Sequence, residues 1–368
     1  MYQYKRYRHK EAGERVILET GIDGKTMGRT TEQTIEALVA KLMADCGMGA
    51  VLAPVESVSG GYLHRMYRVS AAGGSYAVKY LNPEIMARQG VFENYARAEE
   101  IERILEKEGI PIVPAITVHG KKMQNVEGHY FYIFGWQEGH ITDWNNISSI
   151  QCHTVGNILG RIHGIRPENV PRQEPVFSEI DWHAYILRAK QEGSGIAPLL
   201  EDNEKLLSYA VKELNRARAS LPDILCLSDE DMDPKNVMWE NGNPRIIDLE
   251  CLDYGNPVSH ALQLALQWAG IVTYNMYTEN LTAFFDGYLE AYDNGFRAYG
   301  DIFGMAYSWV DWLEYNIRRA LGECMDEKER AMGISETGNT IKRIRYIYNT
   351  EKDIKAALAS CLRPGGVP

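Results

Sequence analysis

Residues 225–250 read LCLSDEDMDPKNVMWENGNPRIIDLE and are the most informative stretch of the chain. A short apolar run opens it, an acidic loop follows, and two strand-like runs flank Asn241-Gly242-Asn243. Asn-Gly between β-type residues is the strongest short-range signal for a hairpin. We predict a hairpin with a three-residue loop, in which Asn236 faces Asp248.

Oxygen ligands gather at the open end of this predicted hairpin. Cross-strand partners have Cβ atoms about 4.5–5.5 Å apart, so the amide oxygen of Asn236 and the carboxylate of Asp248 should converge. Asp231 reaches the same end in the acidic loop. Hard cations such as Mg²⁺ prefer ligands of this kind. The pattern therefore predicts a metal site at Asn236 and Asp248, with a spare carboxylate at Asp231.

The same stretch resembles the catalytic loop and metal-binding hairpin of the aminoglycoside phosphotransferases and choline kinase-like enzymes. Their pattern H-G-D-x-x-x-x-N, followed by I-D-x-E, is matched at Asp231, Asn236, Asp248 and Glu250. The resemblance covers roughly residues 50–325. It implies an α+β, bilobal, protein-kinase-like fold with an antiparallel-sheet N-lobe and a mainly helical C-lobe. It also implies that Asp231 accepts or orients the proton of a substrate hydroxyl.

Three positions depart from the pattern of these families. Asp229 stands in place of the usual His, and Glu230 in place of Gly or Arg. Asp233 occupies the place of a phosphate-contacting Lys in protein kinases, which fits a small-molecule kinase better. The first two departures support one alternative function, a catalytically silent nucleotide-binding relative with a role in assembly.

Strand signals between residues 50 and 81 predict the nucleotide-binding sheet. Ser59-Gly60-Gly61 lies between two strand-like runs, and glycine amides can approach phosphates closely because glycine has no Cβ. Lys79 lies on the third run. We predict that this loop and Lys79 bind the nucleotide phosphates.

A helix from Phe92 to Glu108 follows and ends before Gly109-Ile110-Pro111. In the resembled families a glutamate of this helix pairs with the strand lysine. Its position predicts Glu99 for this role, while Glu100 and Glu102 remain alternatives.

The apolar strand ending at Phe134 leads into Gly135-Trp136, which we interpret as the inter-lobe hinge that binds a purine edge. The predicted organisation is therefore a polar N-terminal extension over 1–30, an N-lobe over 31–136 and a C-lobe over 137–368. Within the C-lobe we predict helices over 147–165 and 206–221, with irregular structure over 166–200. Helix-end His163 is interpreted as structural.

Bulk composition limits the partners and the compartment. The 39 basic and 50 acidic residues give a net charge of −11, which argues against a nucleic-acid or anionic-membrane partner. The six cysteines form no C-x-x-C pair, and no apolar run is long enough for a signal peptide or a membrane span. These features predict a cytoplasmic protein with reduced thiols.

Carboxylates crowd the catalytic stretch. Each unpaired carboxylate costs free energy on desolvation, so such a cluster favours a cation. The residues concerned are Asp229, Glu230, Asp231, Asp233, Glu250 and Asp253, with Asp311 and Glu314 on a later helix. We predict transfer of the γ-phosphoryl group of ATP or GTP, with Mg²⁺, to a small hydroxylated substrate that carries an amine. Trp309 or Trp312 is expected to stack on that amine.

Overall fold

The computed structural model describes residues 32–58, 64–167, 170, 176–292, 302–324 and 326–361. The predicted N-terminal extension and the predicted phosphate loop Ser59-Gly60-Gly61 lie outside these residues. Two compact units divide the described chain. One contains residues 32–140 together with 238–252, and the other contains 141–237 together with 253–361.

The first unit is built on a five-stranded antiparallel sheet of order β1-β2-β3-β5-β4. The strands are β1 (Glu56–Val58), β2 (Arg65–Ala71), β3 (Gly74–Tyr80), β4 (Gln124–Val126) and β5 (His129–Gly135). Helices α1 (Glu32–Asp45), α2 (Pro83–Met86) and α3 (Val91–Lys107) accompany it. Leu38, Val39 and Leu42 of α1 pack on Val78 and Ile133 of the sheet and form an apolar core.

The predicted hairpin is present and belongs to the first unit. Strands β8 (Val237–Glu240) and β9 (Asn243–Ile246) pair in a three-stranded sheet with the short strand β6 (His140–Ile141). The turn has two residues, Asn241 and Gly242, with φ of 51° and 81°. Such a turn pairs Glu240 with Asn243. The three-residue loop, and with it the register that set Asn236 opposite Asp248, is therefore wrong by one residue.

The second unit is mainly helical. Its helices are α4 (Ser149–Gly164), α5 (Trp182–Gln191), α6 (Ala197–Glu201), α7 (Glu204–Ala219), α8 (Pro257–Trp268), α9 (Thr278–Ala291), α10 (Trp309–Ala320), α11 (Glu327–Asn349) and α12 (Glu351–Cys361). Strands β7 (Cys226–Asp229) and β10 (Leu252–Gly255) pair in a two-stranded sheet. In sequence, β7 comes before the acidic loop and β10 comes after Glu250. Glycines permit the close packing of α4 on α9, since a Cβ at Gly156 would lie 2.0 Å from the Phe284 carbonyl oxygen.

Two predictions about the helical region had different outcomes. The helices predicted over 147–165 and 206–221 are present. The irregular structure predicted over 166–200 is wrong for its second half, where α5 and α6 form. Helix α5 begins because the Asp181 side chain accepts a hydrogen bond from the Ala184 amide. No helix in the described ranges is long and apolar enough to cross a membrane.

Candidate active site

Lys79 lies at the centre of a buried charge cluster in the first unit. Its strand, β3, places it between Met66 of β2 and Tyr132 of β5. The Nζ atom lies 2.6 Å from Asp248 Oδ1 and 2.7 Å from Glu250 Oε1. Burial alone would lower the pKa of Lys79, but the two carboxylates outweigh burial and raise it. The side chain therefore remains a cation.

Both carboxylates come from the segment that follows the hairpin. Asp248 has φ of 62° and ψ of 56°, an uncommon left-handed conformation for a residue other than glycine. This bend opens the 3₁₀ turn Leu249–Cys251 and brings Glu250 to the same lysine. Burial favours a raised pKa for Glu250, yet Lys79 and then His64 lower it to about 2.

The predicted pair of Lys79 with Glu99 is not the pair in the structure. Glu99 Oε1 instead accepts hydrogen bonds from the Tyr132 hydroxyl at 2.9 Å and the Met123 amide at 3.2 Å. The physical reason is the sheet register, because Tyr132 is the cross-strand neighbour of Lys79 and its hydroxyl meets Glu99.

The two alternatives from the same helix do not hold Lys79 either. Glu102 is buried, accepts the Ala115 amide and lies 3.0 Å from Lys122 Nζ. The side chain of Glu100 is exposed to solvent.

The predicted hinge residues lie at the end of β5. Gly135 pairs with Tyr76 in the sheet, and the Trp136 amide donates to the Ser75 carbonyl at 3.1 Å. The Trp136 ring lies under the Arg68 guanidinium, 4.4 Å from its carbon. The Trp136 amide therefore has a partner already, and a purine contact at Gly135 and Trp136 stays a prediction.

The predicted catalytic loop, in the second unit, is held by hydrogen bonds to Asp229 and from Trp268. Asp229 is buried at the end of β7, and its Oδ1 accepts the Asp231 amide at 3.2 Å. Trp268 of α8 donates its indole N–H to the Met232 carbonyl at 3.0 Å. Asp229, one of the departures from the family pattern, thus supplies a hydrogen bond that shapes the loop.

A lysine that the sequence analysis did not single out lies between two carboxylates of this loop. Lys235 Nζ is 3.2 Å from Asp231 Oδ1 and 2.7 Å from Asp233 Oδ2. Burial raises the pKa of Asp233 to about 6, helped by Asp231 and opposed by Lys235. The sequence spacing could have predicted this pair, because Lys235 follows Asp231 by four residues and the intervening Pro234 starts a 3₁₀ turn.

Asn236 is oriented by one hydrogen bond. Its amide nitrogen donates a hydrogen bond to the Asp231 carbonyl at 2.8 Å. Asp248 keeps a side chain that is 39% exposed although Lys79 holds one of its oxygens. Both residues thus offer the hard oxygen donors that Mg²⁺ prefers. The described residues contain no group of three His, Cys, Asp or Glu side chains that could hold a metal alone.

Two buried histidines form a hydrogen-bond network with Ser228 of β7, the strand that precedes the predicted catalytic loop. Ser228 Oγ lies 2.8 Å from His260 Nδ1, which in turn lies 3.1 Å from His163 Nε2. His163 Nδ1 lies 2.8 Å from the Tyr288 hydroxyl. Burial lowers the pKa of His163 well below its usual value and that of His260 to about 4. Both rings are therefore neutral at pH 7, in line with a structural role.

The later acidic helix residues have internal partners. Asp311 is buried and accepts hydrogen bonds from Arg218 at 2.6 Å and the Ser178 hydroxyl at 2.5 Å. Glu314 accepts the Tyr185 hydroxyl at 3.1 Å. The Arg343 guanidinium carbon lies 4.0 Å from the centre of the Trp309 ring. Asp311 and Trp309 thus serve the packing of the helical unit, and the expectation that they meet an amine is not supported.

Solved structures share the fold of this chain at low sequence identity. A spectinomycin phosphotransferase in complex with ADP and spectinomycin has a TM-score of 0.64 and 14% identity, covering 85% of this chain and 98% of the other. A Plasmodium vivax ethanolamine kinase has a TM-score of 0.57 and 16% identity, covering 84% and 89%. A microcompartment-associated aminopropanol kinase has a TM-score of 0.57 and 13% identity, covering 86% and 98%. No curated protein matches the sequence.

The antiparallel sheet, the helical unit and these neighbours define an α+β protein of the protein-kinase-like fold, and its class is that of phosphotransferases with a hydroxyl acceptor. The chain belongs to the phosphotransferase enzyme family, whose sequence profile matches residues 54–302. The family resemblance carried by Asp231, Asn236, Asp248 and Glu250 is thereby confirmed.

Proposed function

We propose that the protein transfers the γ-phosphoryl group of ATP or GTP to a hydroxyl group of a small, amine-bearing molecule. The observation that carries the proposal is the buried Lys79, held as a cation by Asp248 and Glu250. A fixed cation is the group that a triphosphate needs, because catalysis of phosphoryl transfer consists mainly of positioning and charge neutralisation.

Each residue has a role that its geometry supports. Lys79 binds the phosphates that are not transferred, together with the predicted loop Ser59-Gly60-Gly61. The acceptor hydroxyl oxygen attacks the γ-phosphorus, the bond to the β–γ bridging oxygen breaks, and the nucleoside diphosphate leaves. The hydroxyl proton passes to Asp231, which Lys235 and its own backbone hydrogen bonds hold in place.

Asn236 and Asp248 would hold Mg²⁺, which supplies charge neutralisation at the β- and γ-phosphates when bound. Their oxygen donors fit this ion, and the left-handed backbone of Asp248 directs its carboxylate while Glu250 holds Lys79. Gly135 and Trp136 remain the proposed contact for the purine.

The amine on the acceptor rests on two supports. The net charge of −11 favours cationic small molecules. Two structural neighbours are named for ethanolamine and aminopropanol, both of which combine an amine with a hydroxyl group. Asp311 is engaged by Arg218 and is not part of the proposed surroundings of the amine.

Thermal-shift measurements with nucleotide and Mg²⁺ test the binding step. We expect ATP or GTP with Mg²⁺ to raise the melting temperature, and Asp248→Asn to remove the part that depends on the metal. Glu240→Gln, an exposed change on the same hairpin, is the matched control and should behave as wild type. No shift with either nucleotide at millimolar concentration would overturn the proposal.

A further inference from the structure

His64 is a buried histidine whose hydrogen bonds define its proton position. Its Nδ1 accepts the Asn82 backbone amide at 3.0 Å. A ring nitrogen that accepts a hydrogen bond carries no proton, so the neutral ring bears its proton on Nε2. That Nε2 lies 3.2 Å from Glu250 Oε2 and 3.2 Å from the Tyr95 hydroxyl. His64 is therefore oriented as a donor toward Glu250.

Glu250 is engaged through both of its carboxylate oxygens. Oε1 lies 2.7 Å from Lys79 Nζ, and Oε2 faces His64. Its side chain is 14% exposed, against 39% for Asp248, the other partner of Lys79. A carboxylate with both oxygens occupied and little solvent around it has one orientation. Asp248 is more open to solvent and hence better placed to change partners.

The helix glutamates are committed elsewhere. Glu99 holds the Tyr132 hydroxyl and the Met123 amide, and Glu102 holds the Ala115 amide and Lys122. The carboxylates within ion-pair distance of Lys79 in the described residues come instead from the segment after the hairpin.

We propose that Glu250 is the positioning residue for Lys79, and that His64 positions Glu250. The inference rests on the proposed function, since it assigns Lys79 to nucleotide phosphates. When Asp248 binds the metal, Glu250 keeps the Lys79 ammonium in place. Glu250 is itself held by His64, whose Nδ1 accepts the Asn82 backbone amide. Glu250, two residues after Asp248, thus positions Lys79, a role that the family resemblance assigns to a glutamate of helix α3.

A double-mutant cycle on nucleotide affinity tests the proposal. ATP affinity with saturating Mg²⁺ is measured calorimetrically for wild type, Lys79→Ala, Glu250→Gln and His64→Ala, and for each of the last two combined with Lys79→Ala. We expect Glu250→Gln to weaken ATP binding by about tenfold and His64→Ala by about fivefold. In the Lys79→Ala background both changes should have little further effect, because coupled residues are not additive.

Several outcomes would overturn the proposal. Equal losses with and without Lys79 would make Glu250 and His64 merely structural. A change confined to the Mg²⁺ concentration needed for binding would make Glu250 a metal ligand. Glu99→Gln is the comparison variant, and a larger loss there than for Glu250→Gln would return the positioning role to α3.

Separate controls distinguish a loss of folding from a loss of the proposed function. Glu250→Gln has the shape of the native side chain, so it remains informative if His64→Ala unfolds, and the melting temperature of each variant without ligand monitors folding. Absence of ATP and GTP binding in the wild type would remove the proposed function and this inference together. Intact wild-type binding with no effect of Glu250→Gln would remove this inference alone.

Discussion

Lys235 Nζ lies 3.2 Å from Oδ1 of Asp231, the proposed base of the reaction. The same ammonium lies 2.7 Å from Asp233 Oδ2, so one cation bridges two loop carboxylates. Burial alone would lower the pKa of Lys235, but Asp231 and then Asp233 raise it overall. In the proposed reaction the base contacts the acceptor hydroxyl, which would place this cation next to the group that receives the phosphoryl.

Lys235→Met should lower kcat by about tenfold, equivalent to about 1.4 kcal/mol of activation free energy. The reason is that Asp231 loses the partner that orients it. Lys235→Arg keeps the charge and should retain more activity, and both variants should bind ATP as wild type does. Steady-state kinetics with a fixed acceptor measures the effect, and an unchanged kcat in Lys235→Met would show that the ion pair has no part in catalysis.

Asp231→Asn should lower kcat by about 10²–10⁴-fold, the usual range for loss of a general base. The amide keeps the size of the side chain, so nucleotide affinity should stay close to that of wild type. Asp223→Asn, an exposed change shortly before β7, is the matched control. If Asp231→Asn lost affinity and rate in equal measure, the residue would be structural or a metal ligand.

Arg218→Met should destabilise the helical unit by about 3–5 kcal/mol, because it leaves the buried Asp311 carboxylate without its cation. Arg216→Met lies on the same helix and removes an exposed arginine that pairs with Glu213 at the surface, so it should cost about 0–1 kcal/mol. Denaturant titration of both variants gives the comparison. Similar losses would mean that the Asp311 pair is no more important than a surface one.

Stability should fall as the pH drops from about 6.5 to 4. Burial lowers the pKa of His260 to about 4, below the ordinary value of 6.5, so the unfolded chain binds the proton more readily in this window. His163, whose pKa burial also lowers, acts in the same direction, whereas the raised pKa of Asp233 opposes the fall below about pH 6. The expected net loss is on the order of 1–3 kcal/mol.

Glu250 contributes little to the change in unfolding free energy between pH 6.5 and 4. Its lowered pKa contributes stability above the ordinary value of 4.5 that is lost only as the pH falls toward about 2. Free energies of unfolding at several pH values would measure the slope, with His260→Gln expected to flatten it. A wild-type slope unchanged in that variant would place the titrating group elsewhere.

Local patterns predicted most of the elements around the site. Asn241-Gly242 predicted the hairpin, but its loop length was read as three residues because Asn243 is also a turn former. The prolines at 167, 171 and 175 suggested irregular structure as far as residue 200, yet Asp181 caps a helix within it. In both cases the residue types were informative, but they were compatible with two local structures.

The partners of charged side chains were harder to predict. Lys79 and Asp248 are 169 residues apart in the chain, and a sequence pattern gives no distance between them. The choice of Glu99 followed the family resemblance, while the register that brings Tyr132 beside Lys79 is a property of the folded sheet. The buried partners of Asp311, which are Arg218 and Ser178, likewise lie far from it in the sequence.

Acceptor-dependent phosphoryl transfer is the decisive assay for the proposed kinase activity. A panel of hydroxylated amines, each paired with a neutral isostere, is incubated with ATP or GTP and Mg²⁺, and phosphomonoester formation is followed by phosphorus NMR. We predict one nucleoside diphosphate per phosphomonoester, a preference for amines over their isosteres, and near loss of product in Asp231→Asn. Nucleotide binding without any acceptor-dependent product would contradict the claim and favour a catalytically silent relative.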